Sequence, residues 1–252
     1  MKLPDLVSYI KLGLSDTWKL NFKLVDEPFE SIKPEYFTTT KVCESLANLS
    51  GSASFPLVIR AEEKTKTVVN NIKFWNSRGD NTTRNGNIDI TLYRRSNGLE
   101  ETVGIVEIKN FLKLKVDQSL DQKSKNEVKK DLIRNAELIE KSISYGGSLD
   151  FSGFTFYVND NKSIVKTDGD RFVSKIKSEM TTYVKSVLNN KLPQGVAACV
   201  EIETIRSNLF SSQTEAFDLD CDGCQNYISE NLYHSVLGVV YLHNSNSIVV
   251  TT

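Results

Sequence analysis

Two histidines, four cysteines and five prolines among 252 residues leave several chemistries short of material. His234 and His243 both fall near the acidic end, so a histidine-based hydrolase site has little to draw on. Cys43, Cys199, Cys221 and Cys224 are too few and too scattered for a disulfide framework and read as free thiols. No Gly-rich phosphate loop is present, which argues against intrinsic ATP use. Charge of one sign is also lacking: 31 Lys and Arg against 32 Asp and Glu give a net charge of −1, which argues against an even coat of phosphate-binding side chains. The longest strongly apolar run, Val236 to Leu242, is far shorter than the roughly 18 residues of a membrane span. The opening Met1-Lys2-Leu3-Pro4-Asp5, with Lys11 interrupting the next apolar patch, shows no signal-peptide hydrophobic region. The expectation is a cytoplasmic protein with no membrane partner.

What is present is ordinary globular composition, 39% hydrophobic and 25% charged, in a chain long enough to bury a sizeable core. The charge is polarised along it. Arg60 to Arg95 carries eight Lys and Arg against four Asp and Glu, and Lys109 to Arg134 again eight against four. Glu201 to Thr252 holds seven acids and one base, Arg206. A basic middle suits a nucleic acid or phosphate partner, although a solvated mixed-charge surface reads the same on charge alone. The acidic end suits a protein partner: a second copy forming a homodimer, a helicase or a regulatory subunit.

The pattern predicts a helix capped by Thr38-Thr39-Thr40, built on Val42, Leu46 and Leu49 and stopped by Gly51, with Glu44 on it. Phe55 to Ile59 and Val68 to Trp75 read as strands. Ile88 to Tyr93 and Val103 to Ile108 read as a hairpin about Ser96-Asn97-Gly98. A long helix follows on Val128, Leu132, Ala136, Ile139 and Ile143, ended by Gly146-Gly147. Phe154 to Val158 reads as a strand, Asp170 to Asn190 as an amphipathic helix, and Val196 to Ile205 as a strand. Val236 to His243 and Ile248 to Val250 read as a closing hairpin. This order predicts an α/β (α+β) fold: a mixed central sheet flanked by helices, with a β-rich C-terminal extension. Residues 1–37 would form a segment packed on the core and 38–160 the core. Residues 161–252 would complete the sheet or form a partner surface.

If the hairpin pairs so that opposed residue numbers sum to 196, Asp89 faces Glu107, and strand alternation puts Lys109 on the face of Glu107. Two carboxylates and an ammonium would converge on an otherwise apolar pair of strands, where buried charge is costly unless paired or metal-bound. Hard oxygen ligands at close spacing suit Mg²⁺, with Mn²⁺ as substitute, and an ammonium beside them can orient water and stabilise charge on a phosphorane-like transition state. A surface salt-bridge ladder is the competing account.

Asp89 followed by Glu107-Ile108-Lys109 resembles the PD-(D/E)XK signature of restriction-endonuclease-like nucleases, which place the Asp on one strand and the Glu-x-Lys on the next. The residue before Asp89 is Ile88, so the nominal Pro is absent. The resemblance covers roughly Thr38 to Tyr145. It implies a mixed α/β core and metal-dependent cleavage of DNA, with RNA still open. It also implies metal ligation by Asp89, Glu107 and the Ile108 carbonyl, catalysis by Lys109, and a place in prokaryotic restriction or anti-phage defence. The family often adds an acid from an upstream helix. Glu44 is the best match, with Glu35, Glu62 and Glu63 competing and a solvent-facing role for Glu44 open. Lys123, Lys125, Lys129, Lys130 and Arg134 are candidate phosphate contacts or a solvated helix face.

Two further patterns are weaker. Asp218, Asp220, Asp222 and Gly223 begin like a calcium loop, but Glu230 comes one residue late. Cys221 and Cys224 form a single CxxC with no second pair. A non-catalytic nucleic-acid-binding or regulatory interaction module on the same fold is the alternative function.

Overall fold

The computed structural model describes residues 3–25, 35–52, 57–78, 85–96, 98–160, 169–189, 191–206 and 235–244. The calcium-loop pattern and the CxxC lie outside them, as does Ile248 to Val250. Helices α1 (Leu3–Val25) and α2 (Glu35–Ser52) precede strand β1 (Leu57–Lys64) and the short helix α3 (Thr65–Asn70). Strands β2 (Asn87–Ser96) and β3 (Leu99–Leu112), helix α4 (Gln122–Ser144), β4 (Phe151–Asn159), α5 (Gly169–Leu188), β5 (Val196–Arg206) and β6 (Ser235–Asn244) follow. The strands form one mixed six-stranded sheet in the order β1-β2-β3-β4-β6-β5. Only β3 and β4, separated in sequence by α4, run parallel; the other neighbours are antiparallel.

Strand alternation sorts the core onto the two faces. Val106 and Ile108 join Leu6, Val7, Ile10, Leu14 and Trp18 of α1 and Val42 and Leu46 of α2 in one apolar cluster. Ile105 joins Val128, Leu132 and Ile139 of α4 and Phe172, Ile176 and Met180 of α5 in the other. The mixed sheet is thus flanked by helices, as expected, and the helices lie on both of its faces. The apolar spacing of α1 is helical, so its signal was present in the sequence. No helix among the described residues is long and apolar enough to cross a membrane.

Three expectations change. Val68 to Trp75 is not a strand: α3 and the turns after it bury Val68, Val69, Ile72 and Trp75, whose spacing is helical rather than alternating. The threonines do not cap α2, which begins upstream at Glu35; Thr39 and Thr40 instead donate from Oγ1 to the carbonyls of Glu35 and Tyr36. The helix also runs past Gly51 to Ser52. Finally, β6 has β4 on one edge and β5 on the other throughout, so no edge of it is left for a hairpin partner.

Strand β6 is nearly all buried, and Gly238 lies at its centre, paired with Phe156 and Ile202. A Cβ there would come within 2.1 Å of the Phe156 ring, so the close approach of ring to backbone requires glycine.

Candidate active site

The site forms where β2 starts and β3 passes beyond its pairing with β2. Ile90↔Val106, Thr91↔Ile105 and Leu92↔Gly104 follow the sum of 196 read from the sequence. At the turn the sum is 195, with Ser96 opposite Leu99, and Gly98 adopts φ 80°. A bulge between the two registers leaves Val103 without a partner in β2. The hairpin thus closes through a tight turn and the bulge restores the alignment near Asp89. One step beyond Ile90↔Val106, Asp89 reaches β3: its Oδ2 accepts the Ile108 amide hydrogen bond at 2.6 Å. The Asp89 side chain is therefore bound to the middle of Glu107-Ile108-Lys109.

Strand β1 adds a second carboxylate. Ala61↔Ile90 and Glu63↔Ile88 bracket Glu62, which lies across from Asp89 in the left-handed backbone region, φ 55°. That region is sparsely used by residues with a side chain and recurs near functional sites. Burial pushes the Asp89 carboxyl up to about 6; Glu62 and Glu35 add like-charge repulsion, while the Ile108 hydrogen bond and the Lys109 ammonium pull the other way. Carboxylates opposed across strands repel unless a cation intervenes. Glu107, at 4% exposure, is the buried member of the group.

Lys109 sits at a second irregularity. Ile108 pairs with Thr155 of β4 and Phe111 with Tyr157, so β3 carries one extra residue between them. The Lys109 ammonium lies 3.1 Å from Oδ2 of Asp131 on α4, and Arg134 approaches Oδ1 of the same carboxylate at 3.8 Å. Asp131 has no counterpart among the residues singled out from sequence. Its signal was a polar position inside the apolar stripe of α4.

The structure does not bring Glu44 to this group. It is exposed, bound to Lys41 at 2.7 Å, and nine residues from Glu35, which is about 13 Å along the axis and half a turn around the helix. Glu35, at the start of α2, is the acid of that helix that acts on Asp89. Of the basic residues, Lys125 is paired with Glu179 at 3.0 Å and Arg134 approaches Asp131. Lys123, Lys129 and Lys130 are exposed on α4, and Lys123 and Lys130, seven apart, share a face.

The donors available to a metal are Asp89, Glu107 and the Ile108 carbonyl, all hard oxygens in a locally acidic setting. That chemistry fits Mg²⁺, which fills the rest of its octahedron with water and phosphate oxygens. Among the described residues no three His, Cys, Asp or Glu side chains are grouped to hold a metal ion by themselves. Comparison with known proteins adds nothing to the geometry: no family model, curated protein or solved structure matches the chain.

Proposed function

We propose that the protein is a Mg²⁺-dependent nuclease with a restriction-endonuclease-like core that hydrolyses phosphodiester bonds of DNA. The observation that carries this reading is the 2.6 Å bond from the Ile108 amide to Asp89, which ties the lone Asp of one strand to the Glu-x-Lys of the next. In support, Asp89 is opposed by Glu62 and repelled by Glu35, an arrangement that a bound cation would relieve. Asp89, Glu107 and the Ile108 carbonyl are assigned as metal ligands. When bound, Mg²⁺ supplies Lewis acidity to a phosphate oxygen and to the attacking water. Lys109 orients that water and stabilises the charge that develops on the phosphorus oxygens. Lys123, Lys129 and Lys130 take the phosphate backbone, a contact that weakens with salt and carries no sequence information.

The test is cleavage of supercoiled plasmid, single-stranded DNA and RNA with Mg²⁺, Mn²⁺ or EDTA, wild type beside Lys109→Ala. Metal-dependent cutting of DNA is expected, falling on the order of 100-fold or more in the variant. Wild type that cuts none of the three with either metal overturns the reading. One observation favours the alternative of a non-catalytic binding module: the pairing of Lys109 with a buried carboxylate gives it a packing role without any reaction. In that case nucleic-acid binding would persist in Lys109→Ala and no cutting would occur in either protein.

A further inference from the structure

Helix α4 covers the sheet with Val128, Leu132, Ala136 and Ile139, all buried. Two polar residues four apart interrupt this cover, Asp131 at 3% exposure and Asn135 at 1%. A helix that had only to cover a sheet would carry aliphatic side chains there, since a buried carboxylate is expensive unless it is paired. Asn135 reaches toward the Gly153 carbonyl of β4, at 3.5 Å. Asp131 meets Lys109.

Resting on the nuclease reading, we infer that Asp131 is the positioning residue for Lys109, its carboxylate fixing from α4 where the ammonium stands. Strand geometry alone does not supply that direction. The extra residue of β3 after Ile108 breaks strict alternation at Lys109, so the side chain is aimed by what it binds rather than by the pleat. A lysine carries a flexible four-carbon stem and a strongly hydrated head, and anchoring it removes rotamers that would otherwise have to be lost during reaction. The anchor is itself held. The Asp121 side chain caps α4 by accepting from the Ser124 amide at 2.6 Å, and Lys125 ties the first turns to Glu179 of α5 at 3.0 Å. Arg134 approaches the other oxygen of Asp131 at 3.8 Å.

The test compares wild type with Asp131→Asn, a replacement of nearly equal size, through two readouts. The first needs neither metal nor cleavage: amine-selective acylation resolved by peptide mass spectrometry. Lys109 is expected to be protected in wild type and modified about tenfold faster in Asp131→Asn, the factor expected for loss of one charged contact. Exposed Lys123 and Lys129 serve as unchanged controls. The second readout is steady-state cleavage of plasmid with Mg²⁺, where kcat is expected to fall on the order of 100-fold with KM held within about twofold. Asp131→Glu should restore protection of Lys109 and part of kcat, which a bulkier residue in a purely packing role would not do. Asp131→Ser serves the same comparison if the asparagine variant does not fold. Unchanged labelling of Lys109, or an unchanged kcat in an active enzyme, overturns the proposal. An inactive wild type defeats the nuclease reading separately, and the labelling result still decides whether Asp131 holds Lys109.

Discussion

Asp89→Asn is expected to make the metal-free protein more stable at pH 7.5, by up to about 3 kcal/mol or a rise in melting temperature of about 8 °C. The same variant is expected to lose metal-dependent cleavage. The sign follows from the carboxyl being pushed up to about 6 by burial, with Glu62 and Glu35 adding repulsion. An acid whose folded pKa exceeds its unfolded one binds more protons in the native state, so stability falls as pH rises through the window from about 4 to about 6. Asparagine keeps an acceptor for the Ile108 amide and never acquires the charge. Thermal melts in EDTA should show the gap between the proteins opening across that window and closing below about pH 4. Mg²⁺ should narrow it at pH 7.5 by stabilising only the wild type. A variant no more stable than wild type at pH 7.5 would count against a strained carboxylate at this position.

The second large effect concerns the pair between β3 and α4. Lys109→Met is expected to destabilise the protein by about 3 kcal/mol, because it strips the nearest cation from a buried carboxylate. Adding Asp131→Leu should recover most of the loss, since removing both charges leaves nothing unpaired. Arg134 is a poor substitute for Lys109, being 3.8 Å from Asp131 and more exposed. Urea denaturation of the two single variants and the double variant completes the cycle. Simple additivity of the single effects would show that the two residues do not interact energetically.

Much of the architecture was legible because it rests on periodicity. The β2–β3 hairpin, α4, β4, α5 and β5 all appear where alternation or helical spacing placed them. Val68 to Trp75 was misread because a short β-branched run resembles a strand until its three-and-four spacing is counted. The alignment from Ile90 to Leu92 is the one read from the sequence although the turn does not have the register assumed for it; the bulge at Val103 supplies the compensating residue, and no turn rule foretells it. Residues whose roles depend on nonlocal contact were the hardest to see. Glu44 was the best match to an acid on an upstream helix, yet helical rotation carries it away from the end of α2 where Glu35 lies. Asp131 meets Lys109 across 22 positions of sequence, and only packing of α4 on the sheet brings the two together.

The strand order also sets a timetable for folding. The β2–β3 hairpin can close as soon as it is made, and α4 and β4 follow directly in sequence. The far edge of β4, a strand buried along its whole length, waits much longer: its partner is β6, which cannot arrive until synthesis has passed β5 and residues 207–234. Until then β4 presents an unpaired strand edge, the kind of surface that recruits other chains. A chain cut before Ser235 is therefore expected to build β2 and β3 and still aggregate, which light scattering of the truncated protein would reveal. The strands of the proposed site are made early, and of the described strands the one that covers the edge of β4 is made last.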